Sequence, residues 1–195
     1  MQQTSSPSRD AQIFLVVGKK RSGKSYRIKR GLALLPQFFA WDLRGEYAHP
    51  TEGVPGARLW TDLRAFLEHV KDGGELAREV FACPRWQFDA WCAWLFETGN
   101  LVAVIEELPR MCNGGVASLA LMDLLDRNRH AGIDLICAAA ATRGIPKSLV
   151  DQADEILCAT QREPNAVRYF AEWLGDAAVA RLRALPTNEF LRLRL

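Results

Sequence analysis

Eight residues near the start of the chain have the types and spacing to hold a phosphate: Gly18, Lys19, Lys20, Arg21, Ser22, Gly23, Lys24 and Ser25. They match G-x-x-x-x-G-K-[ST] at every fixed position. Glycines in such a loop let successive backbone N–H groups converge on one oxyanion. The lysine reaches the β- and γ-phosphates, and the serine hydroxyl holds Mg2+. The expected ligands are ATP and Mg2+. A second pair, Glu106 and Glu107, follows the apolar run LVAVI at 101–105. At the tip of a strand beside the loop, Glu106 is expected to bind the metal. Glu107 is expected to orient and polarise a water for attack on the γ-phosphate. The plainer reading is two solvated acids at a strand end.

These groups act together only if the strands carrying them end at one edge. The run QIFLVV at 12–17 reads as a buried strand, and a helix over 24–34 follows and stops before Pro36. Strands are expected at 38–43, 57–60, 79–83, 101–105, 133–141 and 154–160. A helix capped by Thr61 or Asp62 ends at Gly73-Gly74, and one over 86–99 carries Trp86, Trp91 and Trp94 as core or interface anchors. Residues 116–132 form an amphipathic helix, and 165–185 a helix broken near Gly175. The last segment, 189–195, alternates apolar and basic residues, as a strand with one exposed side would. Strands alternating with helices predict an α/β fold with a mostly parallel sheet covered on both faces.

At 195 residues and 49% hydrophobic, the chain can bury a core, which excludes disorder. One domain over 11–195 is expected, behind a loose tail at 1–10. A net charge of +2 is too mild to argue for nucleic acid by itself. The five cysteines are scattered without a CxxC pair, and the three histidines do not cluster with them, so reduced thiols are expected rather than zinc. No apolar run approaches the ~20 residues that span a bilayer, and a cytoplasmic protein is expected.

Further segments resemble the FtsK–HerA superfamily of DNA-pumping ATPases. WDLRGEY at 41–47 is similar to the superfamily's D-x-x-G-E-Y segment, and VIEELP at 104–109 to its second acidic motif. The stretch RNRHAGIDLICAAAATRGIPKSLVDQADEIL at 127–157 resembles the R-x-x-G-I-x-L-h-h-x-T-Q-R-P region, and the likeness runs to REPNAVRYFAEWLG at 162–175. It implies a single RecA-like P-loop NTPase domain of the additional-strand, catalytic-glutamate type, hydrolysing ATP to translocate double-stranded DNA. Motor domains of this small size are typical of genome-packaging ATPases of tailless, membrane-containing phages and related viruses. The expected partners are then double-stranded DNA, a capsid or portal-vertex protein, and further copies of the chain in a ring, a hexamer ahead of a pentamer. A cellular HerA-like translocase and a zonula-occludens-toxin-like assembly ATPase are the nearest alternatives. A small nucleoside or nucleotide kinase and a non-enzymatic nucleotide switch stand further off.

The resemblance also places single residues. Thr142 falls where the superfamily carries a glutamine that senses the γ-phosphate, and the glutamate at 106 stands where aspartate is usual. Arg143 is the first candidate for an arginine acting on a neighbour's nucleotide, with Arg127 and Arg129 as alternatives. For those two, the simpler role is that of cations at a helix C-terminus. Arg110, in RMCNGGVAS at 110–118, is a candidate contact to DNA phosphate. Lys19, Lys20 and Arg21 are not required by phosphate geometry. They would add positive potential around a triphosphate or face a neighbouring subunit, ahead of direct DNA contact.

Overall fold

The computed structural model describes residues 10–161 and 163–194, leaving the side chains of Trp173 and Leu174 aside. The expected tail lies, except for Asp10, outside the described residues. Strands β1 (Ile13–Val17), β2 (Phe38–Trp41), β3 (Arg58–Trp60), β4 (Arg78–Phe81), β5 (Leu101–Ile105), β6 (Ile133–Ala139), β7 (Glu155–Ala159) and β8 (Phe190–Arg194) form one sheet. Its order is β3-β4-β2-β5-β6-β1-β7-β8. All neighbours run parallel except β7 and β8. The strand β6 stands between the loop strand β1 and the acid-bearing strand β5, so an additional strand separates the two motifs.

Helices α1 (Lys24–Leu32), α2 (Leu63–Lys71), α3 (Phe88–Thr98), α4 (Leu119–Ala131), α5 (Lys147–Gln152) and α6 (Pro164–Ala184) connect the strands. They do not cover the sheet equally. Alternate strand residues such as Leu15, Phe39, Ala103 and Leu135 pack with side chains of α2 to α6 in the larger core. The opposite face, with Val16, Phe38, Val104 and Ala138, is covered by Ile28 and Leu32 of α1 and by Tyr47 and Val54 from the β2–β3 connection. Coverage on both faces therefore holds, with five helices on one side and one on the other.

Aromatic residues fill the larger core. The Trp41 ring lies 5.2 Å from Phe88 and 5.4 Å from Trp91, and Phe66 meets Phe81 and Trp94 edge-on at 4.8 Å each. Of the three expected anchors, Trp91 is fully buried and Trp94 packs against the core. Trp86 is 78% exposed, in a turn of 3-10 helix before α3 begins, so of the two expected roles it lacks the core one.

Most element boundaries fall within a few residues of those expected. The helix expected from 116 starts instead at Leu119. Asn113 and Val116 exchange backbone hydrogen bonds in a turn, and Ser118 caps the helix by accepting from the Leu121 N–H. The short helix α5 was not foreseen. Gly175 breaks α6 where expected, at φ 76° and ψ 167°. On β8, Leu191 is buried while Arg192 and Arg194 are exposed, which is the alternation its sequence shows.

The buried indole N–H of Trp91 has no hydrogen-bond partner among the described residues, so its value to the fold is packing alone. Replacing Trp91 with alanine is expected to cost about 3–5 kcal/mol. The Trp91→Phe change, which keeps a ring and removes an unpaired donor, is expected to cost much less. Urea unfolding of the two variants checks this.

Candidate active site

The parallel register brings the carboxyl ends of β1, β2, β5 and β6 to one edge. Val17 pairs with Ala139, Ile105 with Cys137, and Trp41 with Ile105. Beyond these pairs the chain is still tied to the sheet: the Gly18 N–H donates to Ala139 O at 3.1 Å, and the Glu106 N–H to Trp41 O at 2.9 Å. The phosphate loop, the acidic pair and the segment after β2 are thus fixed beside one another. They line a cavity of about 340 Å3 with Lys20, Arg21, Lys24, Ser25, Glu106 and Glu107 in its wall. That volume lies within the ~300–1,000 Å3 usual for small-ligand pockets.

Two glycines shape the loop. At Gly18 an added Cβ would lie 2.5 Å from Ser22 Oγ and 2.7 Å from the Ala159 Cβ, closer than side chains approach. Gly23 precedes α1 at φ 87°, in the left-handed region that other residues enter only under strain. Arg21 itself adopts φ 66°. The Lys24 ammonium donates to Gly18 O at 2.7 Å and Lys19 O at 3.4 Å, so the lysine folds back over its own loop. Burial pushes its pKa below the ordinary lysine value, opposed by the nearby Glu106 and Glu107.

Glu106 is held at both carboxylate oxygens. Its Oε1 accepts from Ser25 Oγ at 3.0 Å, and its Oε2 accepts from the Tyr47 hydroxyl at 2.9 Å. Burial raises its pKa above the usual carboxylate range, while those two hydrogen bonds pull the other way. Tyr47 is fully buried and its phenol is pushed well above its ordinary pKa by desolvation, so it remains a donor at neutral pH. Tyr47 is in turn placed by Asp42, whose side chain accepts from the Tyr47 N–H at 2.9 Å and the Arg44 N–H at 3.1 Å.

Glu107 lies at φ 51°, a left-handed turn that carries the chain away from the sheet directly after Glu106. Arg44 Nη2 lies 3.1 Å from its Oε1, and Arg110 Nε lies 3.0 Å from its Oε2 as an ion pair that lacks hydrogen-bond geometry. All three side chains are partly exposed. Screening keeps such pairs near 0–1 kcal/mol, so their effect is to orient the carboxylate rather than to stabilise the fold.

The other expected residues are placed apart. Thr142 is buried beyond the end of β6, where its carbonyl accepts from the Ile145 N–H. The cavity is lined at that strand tip by Ala138, Ala139 and Ala140 instead. Arg143 follows it, exposed, in a loop that packs against the segment beyond the acidic pair: a Cβ on Gly144 would lie 3.2 Å from the Pro109 Cβ. Arg127 lies over the Phe96 ring at 4.5 Å, and Arg129 pairs with Asp154 at 2.7 Å. Asp154 also accepts from the Ile13 N–H at the start of β1, so this pair sits at the sheet edge opposite the loop. Arg110 meets Glu107 directly. Lys19 faces a small recess with Ser22, Thr160 and Asn188, while Lys20 and Arg21 face the phosphate cavity.

Asp42, Arg44, Glu46 and Tyr47 were noted in sequence only as part of a resemblance. The structure brings Asp42, Arg44 and Glu46 into the cavity wall and Tyr47 onto Glu106. The signal for them was their position just past β2, the strand beside β5. Chemically, a serine hydroxyl and a desolvated carboxylate 3.0 Å apart offer the hard oxygen ligands Mg2+ prefers. Lysine and arginine in the same wall supply charge for phosphate.

No protein-family model matches the chain, and no curated protein does. Among solved structures, the genome-packaging NTPase B204 from Sulfolobus turreted icosahedral virus 2, in complex with AMPPCP, is 23% identical with a TM-score of 0.79. The likeness covers 95% of this chain and 93% of that one. B204 from Sulfolobus turreted icosahedral virus, a DNA-packaging ATPase, is 22% identical at a TM-score of 0.67, over 95% and 94% of the two chains. The N-terminal domain of zonular occludens toxin from Neisseria meningitidis is 14% identical at a TM-score of 0.51, over 79% of each. This chain has the P-loop NTPase fold of those packaging enzymes across nearly its whole length.

Proposed function

We propose that this chain is the ATP-hydrolysing motor subunit of a machine that translocates double-stranded DNA, packaging a viral genome into a preformed capsid. The observation that carries the reading is the convergence of Lys24, Ser25, Glu106 and Glu107 on one cavity at the strand tips. Support for packaging comes from the fold likeness, at a TM-score of 0.79 to a genome-packaging NTPase against 0.51 to zonular occludens toxin. That packaging NTPase has been solved with AMPPCP and with ATP-gammaS, which supports ATP as the ligand here. In this reading the subunits form a ring, a hexamer first, that works in the host cytoplasm against a capsid or portal-vertex protein. Among the described residues no helix is long and apolar enough to cross a membrane.

Each residue then has a task. Lys24 leaves its own loop carbonyls to meet the terminal phosphates. Ser25 and Glu106 would hold Mg2+, which when bound offsets phosphate charge. Glu107 accepts a proton from water as the water oxygen attacks the γ-phosphorus. The bond to the ADP oxygen breaks, giving ADP, phosphate and a proton. Arg143 is proposed to reach a neighbour's nucleotide, with Arg127 and Arg129 as alternatives, and Thr142 to sense the γ-phosphate. Arg110 is proposed to contact DNA phosphate.

The test is the ATPase rate with and without double-stranded DNA, alongside solution mass. A ring whose rate rises with DNA is expected, and a monomer that transfers phosphate to a small acceptor would support the kinase alternative. The Lys24→Ala variant is expected to lose ATP binding. Glu107→Gln should bind ATP yet hydrolyse it about 10²–10⁴-fold more slowly, and a normal rate would remove Glu107 from the base role. Replacing Tyr47 with phenylalanine leaves Glu106 without one of its two donors. It is expected to raise the Mg2+ concentration needed for half-maximal ATPase by about tenfold or more, and to lower stability by about 1–3 kcal/mol because the carboxylate loses a donor.

A further inference from the structure

A second groove of about 690 Å3 adjoins the phosphate loop and is lined by α1 and the start of β8. Arg21 lines both this groove and the phosphate cavity, and Gly23, the loop's second glycine, lines its floor. The two spaces therefore share Arg21 as a wall and border the same loop. The phosphate chemistry does not use the groove, and its lining differs in kind.

Its walls carry flat, exposed surfaces. Tyr26, directly after the loop serine, is 67% exposed, and the Arg30 guanidinium stands 5.9 Å from its ring. Across the groove the Arg27 guanidinium stands 4.9 Å over Phe190. Asn188, held at φ 67° in the turn before β8, abuts Gly23 and offers an amide that both donates and accepts. Aromatic rings and guanidinium planes are the surfaces on which nucleic bases stack.

We propose that this groove is the nucleoside subsite, taking the purine base and ribose of the nucleotide whose phosphates occupy the loop. The inference rests on the nucleotide reading of the phosphate cavity and adds to it the residues that hold the nucleoside. Tyr26 and the Arg27–Phe190 pair stack on the base, Asn188 meets its polar edge, and Arg21 bridges toward the phosphates. Holding the base mainly by stacking makes selection between adenine and guanine shallow, while a base-free polyphosphate loses the contact entirely. A nucleic-acid strand is the competing occupant. It is disfavoured because the groove shares Arg21 with the phosphate cavity and reaches the loop itself at Gly23.

Equilibrium binding of ATP, GTP and inorganic tripolyphosphate to the full chain tests this. Wild type is expected to bind ATP and GTP about tenfold or more tighter than tripolyphosphate. Tyr26→Ala and Phe190→Ala should bring that ratio close to one without changing tripolyphosphate affinity, and Tyr26→Phe should preserve it. Thermal unfolding of Phe190→Ala confirms that β8 is still in place. Equal affinity of wild type for ATP and tripolyphosphate, or an unchanged ratio in Tyr26→Ala, overturns the subsite and leaves the phosphate reading standing. Loss of labelled duplex binding in Tyr26→Ala with an unchanged ratio overturns it in favour of nucleic acid. Failure of wild type to bind any of the three ligands overturns both readings together.

Discussion

One desolvated carboxylate ties the site together. Glu106 accepts from Ser25 at the start of α1 and from Tyr47 in the β2–β3 connection, while its own backbone N–H is held by Trp41 at the end of β2. Two segments distant in sequence are thereby fixed to one pair of oxygens, and a third holds the backbone that carries them. Burial raises the cost of the negative charge, and the two hydroxyl donors reduce it. The result is a carboxylate with strong reason to accept a cation and little freedom to move away from it. The parallel sheet makes this possible, because only strands running the same way deliver their tips to one edge.

Around that fixed point the charges are arranged unevenly. Lys24 is buried and turned back on the loop carbonyls, whereas Lys20 and Arg21 reach the same cavity from exposed positions. Glu107, one residue from Glu106, is held only by the partly exposed Arg44 and Arg110. Both acids are half-buried, but Glu106 is hydrogen-bonded at both oxygens whereas Glu107 is held by weak ion pairs. That difference in bonding fits the proposed metal-ligand role of one and water-orienting role of the other. Arg110 begins the segment whose Gly115 packs beside Gly144, so Glu107 is also joined through its neighbours to the loop carrying Arg143.

The sheet was legible in the sequence because its strands are short apolar runs between glycine, proline and polar residues. The loop was legible because phosphate geometry demands fixed residue types at fixed spacing. Arg44 and Tyr47 were not, since their roles depend on β2 lying next to β5, which neighbouring sequence does not specify. The single cover over one sheet face was hidden for a similar reason: strands such as β5 are apolar throughout, and that pattern does not say how many helices pack on each side. Trp86 is no core anchor because helical spacing was extended two residues too far, before the chain has turned into α3. The start of α4 was misplaced for a local reason, as the apolar Val116 belongs to the turn and Ser118 provides the cap.

The proposed function requires that hydrolysis at this cavity move the protein along double-stranded DNA. Displacement of a third strand from a DNA triplex by the purified protein measures that movement directly. Displacement that requires ATP and stops with a non-hydrolysable analogue is the result expected. Steady ATP hydrolysis with the third strand left in place, on DNA that the protein binds, would contradict it.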